Sequence, residues 1–252
     1  ANSEQDTSSL SSQTEEESKS ENYDSLEPAK EMDISQNDIE KFNTMMIANG
    51  RGYRYYDFSE DNSIEYIEMI KGIADQYKDK SNIYSIIVPT ATDIMIPQSI
   101  LVDIDTSDQQ KACEYLYASI NAVAPSVRTV PIYDILKANC DKEIFFKTDR
   151  NWTSLGAYYA YRQFCKIKMG IPVDLSKFKK EIYENFVGSF FKQSNEAESM
   201  GLGEILEVYV PQGNINVNIT DFNGEKSSGS LICDVTDYDE DMKFCAFLGG
   251  DY

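Results

Sequence analysis

The chain has 252 residues, a formal net charge of −20 and a pI near 4.3. A surface with this charge repels the phosphates of nucleic acids and the headgroups of anionic lipids, so we exclude both as partners. The sequence contains no histidine, the usual general base for a serine or cysteine nucleophile, so a conventional catalytic triad cannot be assembled within it.

Membrane spans, metals and cofactors are not predicted either. No apolar run approaches the roughly 20 residues that cross a bilayer, and the opening at Ala1, without a signal-like apolar region, is typical of a mature or recombinant form. The five cysteines form no Cys-x-x-Cys pair, and their odd number leaves at least one free thiol. Residues 237–241 resemble a calcium loop, but Met242 and Leu248 stand where that loop needs glycine and glutamate.

Residues 1–40 contain 12 acidic and 2 basic residues, with many serines and amides and almost no apolar side chains. This composition predicts a disordered acidic tether followed by one folded domain in residues 41–252. Two interpretations of the tether stay open. It is a spacer between a lipid-anchored cysteine and the domain, or it is an ordinary flexible terminus.

The first predicted elements lie in residues 33–90. Apolar residues at 34–46 predict a helix, and the aromatic residues at 53–58 predict an extended segment. Asp61-Asn62-Ser63 supplies N-cap side chains for an amphipathic helix that runs to residue 77. The β-branched run at residues 83–90 predicts a central parallel strand that is buried on both faces.

Helices and strands continue to alternate up to residue 168. Ser107-Asp108-Gln109-Gln110 has the form of a capping box and predicts the start of a second helix. Strands are predicted at 127–132 and 144–146, with a short helical segment at 133–139 between them. This alternation predicts an α/β fold with a mostly parallel sheet flanked by helices in three layers.

The pattern changes after residue 172. Residues 174–191 predict a partly helical basic and aromatic stretch. Residues 206–210 and 215–219 predict half-exposed strands, and Phe222-Asn223-Gly224-Glu225 predicts a hairpin turn, because Asn-Gly tolerates positive φ angles. An antiparallel β insertion is therefore expected at about residues 200–245.

The segment that follows the predicted strand at 144–146 holds Asp149, the only tryptophan (Trp152), and a Thr153-Ser154 pair before an aromatic helix. In one interpretation Asp149, Thr153 or Ser154 is the helix N-cap and Trp152 docks the helix. In the other, Asp149 is an orienting acid that is presented with a partner base to a pocket at the end of a strand.

Thr148-Asp149-Arg150-Asn151-Trp152-Thr153 closely resembles the signature of the bacterial DHHW proteins, normally Thr-Asp-His-His-Trp-Thr before the same Ser-Leu-Gly-Ala-Tyr-Tyr-Ala-Tyr helix. That family is similar to the SGNH-hydrolase-like domains of alginate O-acetyltransferases. Val88-Pro89-Thr90, Phe186-Val187-Gly188-Ser189 and Gly249-Gly250-Asp251-Tyr252 follow the family's order, so the resemblance covers roughly residues 40–252. It implies an SGNH-hydrolase-like domain.

The resemblance also implies roles for single residues. Asp149 stands at the position of the triad acid, whereas Arg150 and Asn151 replace the two family histidines. Neither replacement accepts a proton at neutral pH. The remaining candidate binding residues are Trp152, Thr153, Thr90 and Asp251. In relatives the chain continues beyond the Gly-Gly step to an Asp-Ser strand that carries the nucleophile, so we expect the domain to lack its last C-terminal elements.

The sequence leaves three functions open. The first is a catalytically degenerate domain that holds a cell-surface polysaccharide in the aromatic remnant of the pocket. The second is a carbohydrate O-acetyltransferase or esterase that is completed by sequence outside this chain. The third is a non-catalytic protein-interaction module. In each case we expect an extracellular location, as a cell-surface lipoprotein of a bacterium.

Overall fold

A computed structural model of the protein describes residues 23–194, 200–201 and 203–247. The candidate binding residue Asp251 and the first 22 residues of the predicted tether lie outside the described residues. Helices and short strands alternate up to residue 168, and antiparallel ribbons follow. The structure confirms that the chain combines helices and sheets, and that antiparallel strands predominate in its C-terminal third.

The first sheet contains three antiparallel strands: β1 (Glu40–Lys41), β2 (Met45–Ala48) and β3 (Arg51–Arg54). The helix predicted at residues 34–46 is therefore wrong. All four residues of β2 are buried, and such a short apolar run does not distinguish a strand from a buried helix. Asn49 and Gly50 close the hairpin with positive φ angles of 50° and 69°, which the two-residue turn requires.

Two amphipathic helices are confirmed, with shifted starts. The first, α1 (Glu60–Tyr77), begins after Ser59, whose side chain accepts from the N–H of Asn62. The second, α4 (Gln109–Val123), begins after Asp108, whose carboxylate accepts from the N–H of Lys111 at 2.9 Å. The N-cap is thus one residue later than the predicted capping box.

The parallel part of the fold is one pair of strands, β4 (Ile83–Ser85) and β5 (Val127–Thr129). Both are shorter than predicted, and Ile86 and Val88 are exposed, so the run at residues 83–90 is not buried on both faces. Residues 144–146 are buried, but their one pairing among the described residues is an isolated bridge between Phe145 and Trp152. A full three-layer parallel sheet stays a prediction.

The largest core is covered by four helices, α2 (Ala91–Met95), α3 (Gln98–Leu101), α5 (Tyr133–Lys137) and α6 (Ser154–Lys168). The short helix predicted at 133–139 and the aromatic helix after the motif are thereby confirmed. None of the described helices has the length and apolarity that a membrane crossing requires.

The C-terminal third contains two antiparallel ribbons, β6 (Lys179–Phe186) with β7 (Glu204–Val210), and β8 (Asn216–Thr220) with β9 (Lys226–Ser230). The second ribbon confirms the predicted hairpin, and Gly224 in its turn has a φ of +83°. The partly helical assignment of residues 174–191 holds for a 3₁₀ helix at Leu175–Lys177 and for the start of α7 (Ser189–Ser194), but between them lies the strand β6, which was not predicted.

Residues 23–40 contact the folded domain, although the sequence assigns them to the tether. The ring of Tyr23 packs edge-on against Tyr158 with 5.2 Å between centroids. Asp24 pairs with Arg162, and Ile34 is buried in the main core. The ordered structure therefore extends into the segment for which a tether is predicted.

Candidate functional site

Asp149, the predicted acid, is buried in the loop between Phe146 and α6, and both of its carboxylate oxygens are hydrogen bonded. Oδ1 accepts from the backbone N–H of Asn151 at 2.9 Å and from its side-chain Nδ2 at 2.7 Å. Oδ2 accepts from the backbone N–H of Ser189 at 2.7 Å. Three N–H donors therefore hold the carboxylate in one orientation.

Gly188 permits the close approach of α7 to this carboxylate. A Cβ atom on Gly188 would lie 2.2 Å from Cβ of Asp149 and 2.6 Å from its Oδ2, so any larger residue displaces the acid. The N–H of Gly188 donates to Oγ1 of Thr148 at 2.9 Å. The next residue, Ser189, has a buried Oγ with no hydrogen-bond partner among the described residues.

Glu204, the first residue of β7, fixes the other side of the loop. Its Oε2 accepts from the N–H of Lys147 at 2.8 Å. Its Oε1 accepts from the N–H of Thr148 at 2.7 Å and from the Thr148 hydroxyl at 2.6 Å. Burial raises the pKa of Glu204 above its ordinary value, although these hydrogen bonds oppose the change. The loop is therefore anchored by a glutamate of the β6–β7 ribbon.

Arg51 supports the backbone just before the loop. Its side chain is 2% exposed, and Nη1 donates to the carbonyl oxygens of Phe145 at 2.6 Å and Phe146 at 2.9 Å. Nη2 pairs with Oε2 of Glu143 at 2.6 Å. Phe145 packs into the main core and Phe146 into the core of the β6–β7 ribbon, so Arg51 holds the junction of the two cores.

A cavity of about 320 Å³ opens beside the loop, and we call it the motif cavity. It brings together four of the predicted residues, Thr90, Arg150, Asn151 and Trp152. The lining is completed by residues that the sequence does not single out as site residues: Arg54, Val88, Pro89, Ala91, Phe145 and Phe190. Among these described lining residues there is no carboxylate, thiol or amine, so the walls combine aromatic faces with arginine and amide donors.

Thr90 is held in the cavity wall by a reciprocal pair of hydrogen bonds with Gln109. The N–H of Thr90 donates to Oε1 of Gln109, and Nε2 of Gln109 donates to Oγ1 of Thr90, both at 2.8 Å. Gln109 is buried at the start of α4. The hydroxyl of Thr90 is therefore positioned by a helix that the sequence does not link to the site.

Thr153 is a structural residue, as the first interpretation of the motif predicts. Its Oγ1 accepts from the N–H of Gly156 as the N-cap of α6 and donates to the carbonyl of Glu143 at 2.7 Å. Trp152 packs at the edge of the main core as well as lining the motif cavity. Thr153 is not among the residues that line the cavity.

The sequence profile described as DHHW protein matches residues 18–252. The chain belongs to the DHHW family. A crystal structure of a DHHW family protein from Eubacterium siraeum covers 85% of this chain and 70% of that one, with 24% sequence identity and a TM-score of 0.67, which shows a common fold.

The O-acetyltransferase domain of Pseudomonas putida AlgJ is also similar, over 66% of this chain, with 15% identity and a TM-score of 0.43. The match covers 61% of that chain, which is less than two thirds of its length. No curated protein matches the sequence.

In this DHHW domain the carboxylate of Asp149 is fixed by hydrogen bonds, and Arg150 and Asn151 follow it in the loop. Nδ2 of Asn151 donates to Asp149 as an N–H of an imidazole ring would, but an amide has no basic nitrogen to accept a proton. Arg150 is exposed and lines the motif cavity, and its guanidinium group donates hydrogen bonds but accepts none. The site therefore offers hydrogen-bond donors and a fixed carboxylate, without a general base near neutral pKa among its described lining residues.

Several residues that build the DHHW site lie far from the motif along the chain. Ser189 is 40 residues from Asp149, Glu204 is 56 residues from Thr148, and Arg51 is 94 residues from Phe145. The Phe186-Val187-Gly188-Ser189 segment carries a sequence signal, because the family resemblance includes it. No local pattern marks Arg51 or Glu204.

Proposed function

We propose that this DHHW domain is catalytically degenerate and binds a sugar unit of an extracytoplasmic, cell-surface polysaccharide in the motif cavity. The observation that carries the proposal is the 2.7 Å hydrogen bond from Nδ2 of Asn151 to Oδ1 of Asp149, because an amide takes the place of the proton-accepting histidine. The carboxylate is retained as part of a rigid frame.

The lining of the motif cavity supports a carbohydrate ligand. Trp152 and Phe190 supply flat apolar surface, which suits the C–H face of a sugar ring. Arg54, Arg150 and Asn151 supply N–H donors for hydroxyl or carboxylate oxygens. A small number of placed donors on an apolar wall is the usual composition of a small-ligand site, and the volume of about 320 Å³ lies within the usual range.

The wider setting of the domain belongs to the same proposal. The acidic composition of residues 1–40 supports a tether that displays the domain at the surface of a bacterium as a lipoprotein. The parallel pair β4 and β5, with helices on either side in the sequence, supports an SGNH-hydrolase-like three-layer arrangement. In this arrangement the β6–β7 and β8–β9 ribbons are the C-terminal antiparallel part.

Screening on an array of bacterial polysaccharides, followed by isothermal titration calorimetry with the full chain, tests the proposal. We expect Arg150→Ala to weaken binding at least about tenfold, because Arg150 lines the motif cavity. The matched control is Arg128→Ala, since Arg128 is an exposed arginine of β5 that does not line this cavity. Absence of any glycan signal, or equal losses in both variants, would overturn the proposal.

A second candidate is an O-acetyltransferase or esterase that is completed by sequence outside this chain. Preservation of Asp149 as a buried carboxylate fixed by three N–H donors favours it. Hydrolysis of p-nitrophenyl acetate separates the candidates. Turnover that is lost in Asp149→Ala but kept in the exposed control Asp103→Ala would establish the enzyme and overturn the degenerate domain.

A further inference from the structure

A second cavity, of about 610 Å³, lies between the end of β3 and the loop before α4, and we call it the tyrosine cavity. Tyr55 and Tyr56 form part of its wall together with Asn43, Asp57 and Asp105. Both tyrosines are half-buried, whereas the amide and the two carboxylates are exposed. The cavity therefore has an aromatic floor and a polar rim.

The chemistry of the tyrosine cavity differs from that of the motif cavity. The carboxylates of Asp57 and Asp105 accept hydrogen bonds from hydroxyl groups, and because they outnumber the one lysine of the lining, Lys41, the net negative charge disfavours carboxylate, sulfate and phosphate ligands. Burial raises the pKa of both Tyr55 and Tyr56, so their hydroxyls stay protonated and act as donors at neutral pH. These groups suit a neutral, hydroxyl-rich ring that stacks on an aromatic face.

The two cavities share their first wall. Arg54, the last residue of β3, lines the motif cavity, and the next three residues, Tyr55, Tyr56 and Asp57, line the tyrosine cavity. At about 3.3 Å per residue of extended chain, the Cα atoms of Arg54 and Tyr56 lie within about 7 Å of each other. One continuous piece of backbone therefore passes from one cavity to the other.

Hydrogen bonds also connect residues of the two cavities through the start of α4. Thr90 in the motif cavity is hydrogen bonded to Gln109, and Ser107, two residues earlier in the chain, lines the tyrosine cavity. The N–H of Ser107 donates to the carbonyl of Tyr56 at 2.7 Å, and the N–H of Tyr56 donates to Oγ1 of Thr106 at 3.0 Å. These backbone and side-chain bonds hold the segment after β3 against the segment before α4.

We propose that the tyrosine cavity is a second carbohydrate subsite, which takes a neutral sugar adjacent to the sugar in the motif cavity. The inference rests on the proposed function and adds that the ligand is an oligosaccharide of at least two units. The neighbouring cavities also impose a charge pattern. Arginine donors face the first unit, and a lining with two carboxylates and one lysine, hence a net negative charge, faces the second.

Titration calorimetry with the full chain tests this subsite. The probes are N-acetylglucosamine and its β-1,4-linked di-, tri- and tetrasaccharides, with a galacturonate trimer as the fully anionic comparison. We expect the Kd of the unaltered chain to fall at least about tenfold from the monosaccharide to the tetrasaccharide. The second ring binds without a second loss of translational and rotational entropy. The galacturonate trimer is expected to show no such gain over galacturonate.

Variants assign the gain to the tyrosine cavity. The double variant Asp57→Ala with Asp105→Ala, and separately Tyr56→Ala, should bind the monosaccharide with unchanged affinity and lose most of the gain with length. Asp103→Ala is the matched control, since Asp103 is an exposed aspartate two residues from Asp105 that does not line the cavity. We expect this control to keep the full gain.

The outcomes separate this inference from the proposed function. Binding that is independent of length, or a gain that survives in all of the cavity variants, would overturn the second subsite and leave the motif cavity as a single-sugar site. Absence of binding to every probe, together with no signal on the polysaccharide array, would overturn both. A tenfold gain that disappears in the two cavity variants and persists in the control would establish the subsite.

Discussion

Nδ2 of Asn151 lies 2.7 Å from Oδ1 of Asp149 and donates a hydrogen bond to it. The same oxygen accepts the backbone N–H of Asn151 at 2.9 Å, so one residue satisfies this side of the carboxylate twice. Because an amide nitrogen is a donor only, Asn151 cannot act as the base of this pair. The Asp149 carboxylate is thus held in place by the residue two positions later in its own loop.

Restoring a histidine at this position should not restore catalysis. In Asn151→His the imidazole can donate to Asp149 and present its other nitrogen as a base, but the described lining of the motif cavity contains no nucleophile next to it other than the hydroxyl of Thr90, which is bound to Gln109. We expect hydrolysis of p-nitrophenyl acetate by this variant not to exceed the slow background of a histidine placed elsewhere on the surface of the chain.

The control for this experiment is Asn121→His, which introduces a histidine on an exposed position of α4 away from the motif cavity. Free imidazole groups hydrolyse activated esters slowly, and the control measures this background. Hydrolysis by Asn151→His that exceeds the control and is lost when Asp149→Ala is added would reveal a nucleophile within the chain and contradict the prediction.

The close approach of α7 to Asp149 predicts that two glycine substitutions change the free energy of unfolding in opposite directions. Gly188→Ala places a Cβ atom 2.2 Å from Cβ of Asp149, and overpacking of this kind usually lowers the free energy of unfolding by about 1–3 kcal/mol. Gly72→Ala is the matched control, because Gly72 lies inside α1 with no atom within 4 Å of the added Cβ. There alanine should raise stability by about 0.5–1 kcal/mol.

Urea unfolding of both variants measures this difference. A Gly188→Ala variant as stable as the unaltered chain would show that the Asp149 loop can move aside without loss of stability. The inference that this loop is a rigid frame would then be wrong.

The helices and the hairpin could be predicted from the sequence because their signals are local. The apolar spacing of α1 and α4 and the Asn223-Gly224 turn each specify structure within a few residues. The prediction for the β2 segment was wrong because four consecutive buried residues show no periodicity that distinguishes a strand from a helix. Residues 144–146 have strand-like composition but lie between two cores, where Arg51 rather than a neighbouring strand takes the carbonyls of Phe145 and Phe146.

In the candidate site, too, the features with a sequence signal could be predicted and those that depend on long-range contacts could not. The loop residues Asn151 and Trp152, and Thr90 from a distant segment, meet in one cavity, and the family resemblance supplies that grouping. Glu204 belongs to a strand that pairs with a separate segment, β6, and Arg54 belongs to the local β2–β3 hairpin, and neither pairing gives a reason to place these residues beside the loop. Their contribution becomes visible only when the three-dimensional contacts are known.

Arg51 should contribute more to stability than its ion pair suggests. In Arg51→Met the carbonyl oxygens of Phe145 and Phe146 lose their donor, and each buried unsatisfied group costs about 1–3 kcal/mol. In Glu143→Gln the ion pairs of Glu143 with Arg51 and Lys147 are lost, while the two carbonyls keep their donor. Because the side chain of Glu143 is 64% exposed, this change should cost no more than about 1 kcal/mol.

Chemical unfolding of the two variants gives the comparison. Equal losses in Arg51→Met and Glu143→Gln would mean that the ion pair, and not the support of the two carbonyls, explains the contribution of Arg51.

Glu204 predicts a specific dependence of stability on pH. Burial raises its pKa above the ordinary value of 4.5, so the folded state binds more protons than the unfolded state between 4.5 and the raised pKa. The contribution of Glu204 to the free energy of unfolding is therefore fully present below pH 4.5 and declines as the pH rises through the folded pKa.

Glu204→Gln removes this titration. Urea unfolding at several pH values should show that, from about pH 4.5 upward, the stability of the unaltered chain falls relative to that of the variant. The exposed control Glu184→Gln, on β6, should leave the pH profile of the unaltered chain unchanged. A stability advantage of the unaltered chain over Glu204→Gln that grows with rising pH would instead mean that the hydrogen bonds from Lys147 and Thr148 outweigh burial and lower the pKa of Glu204.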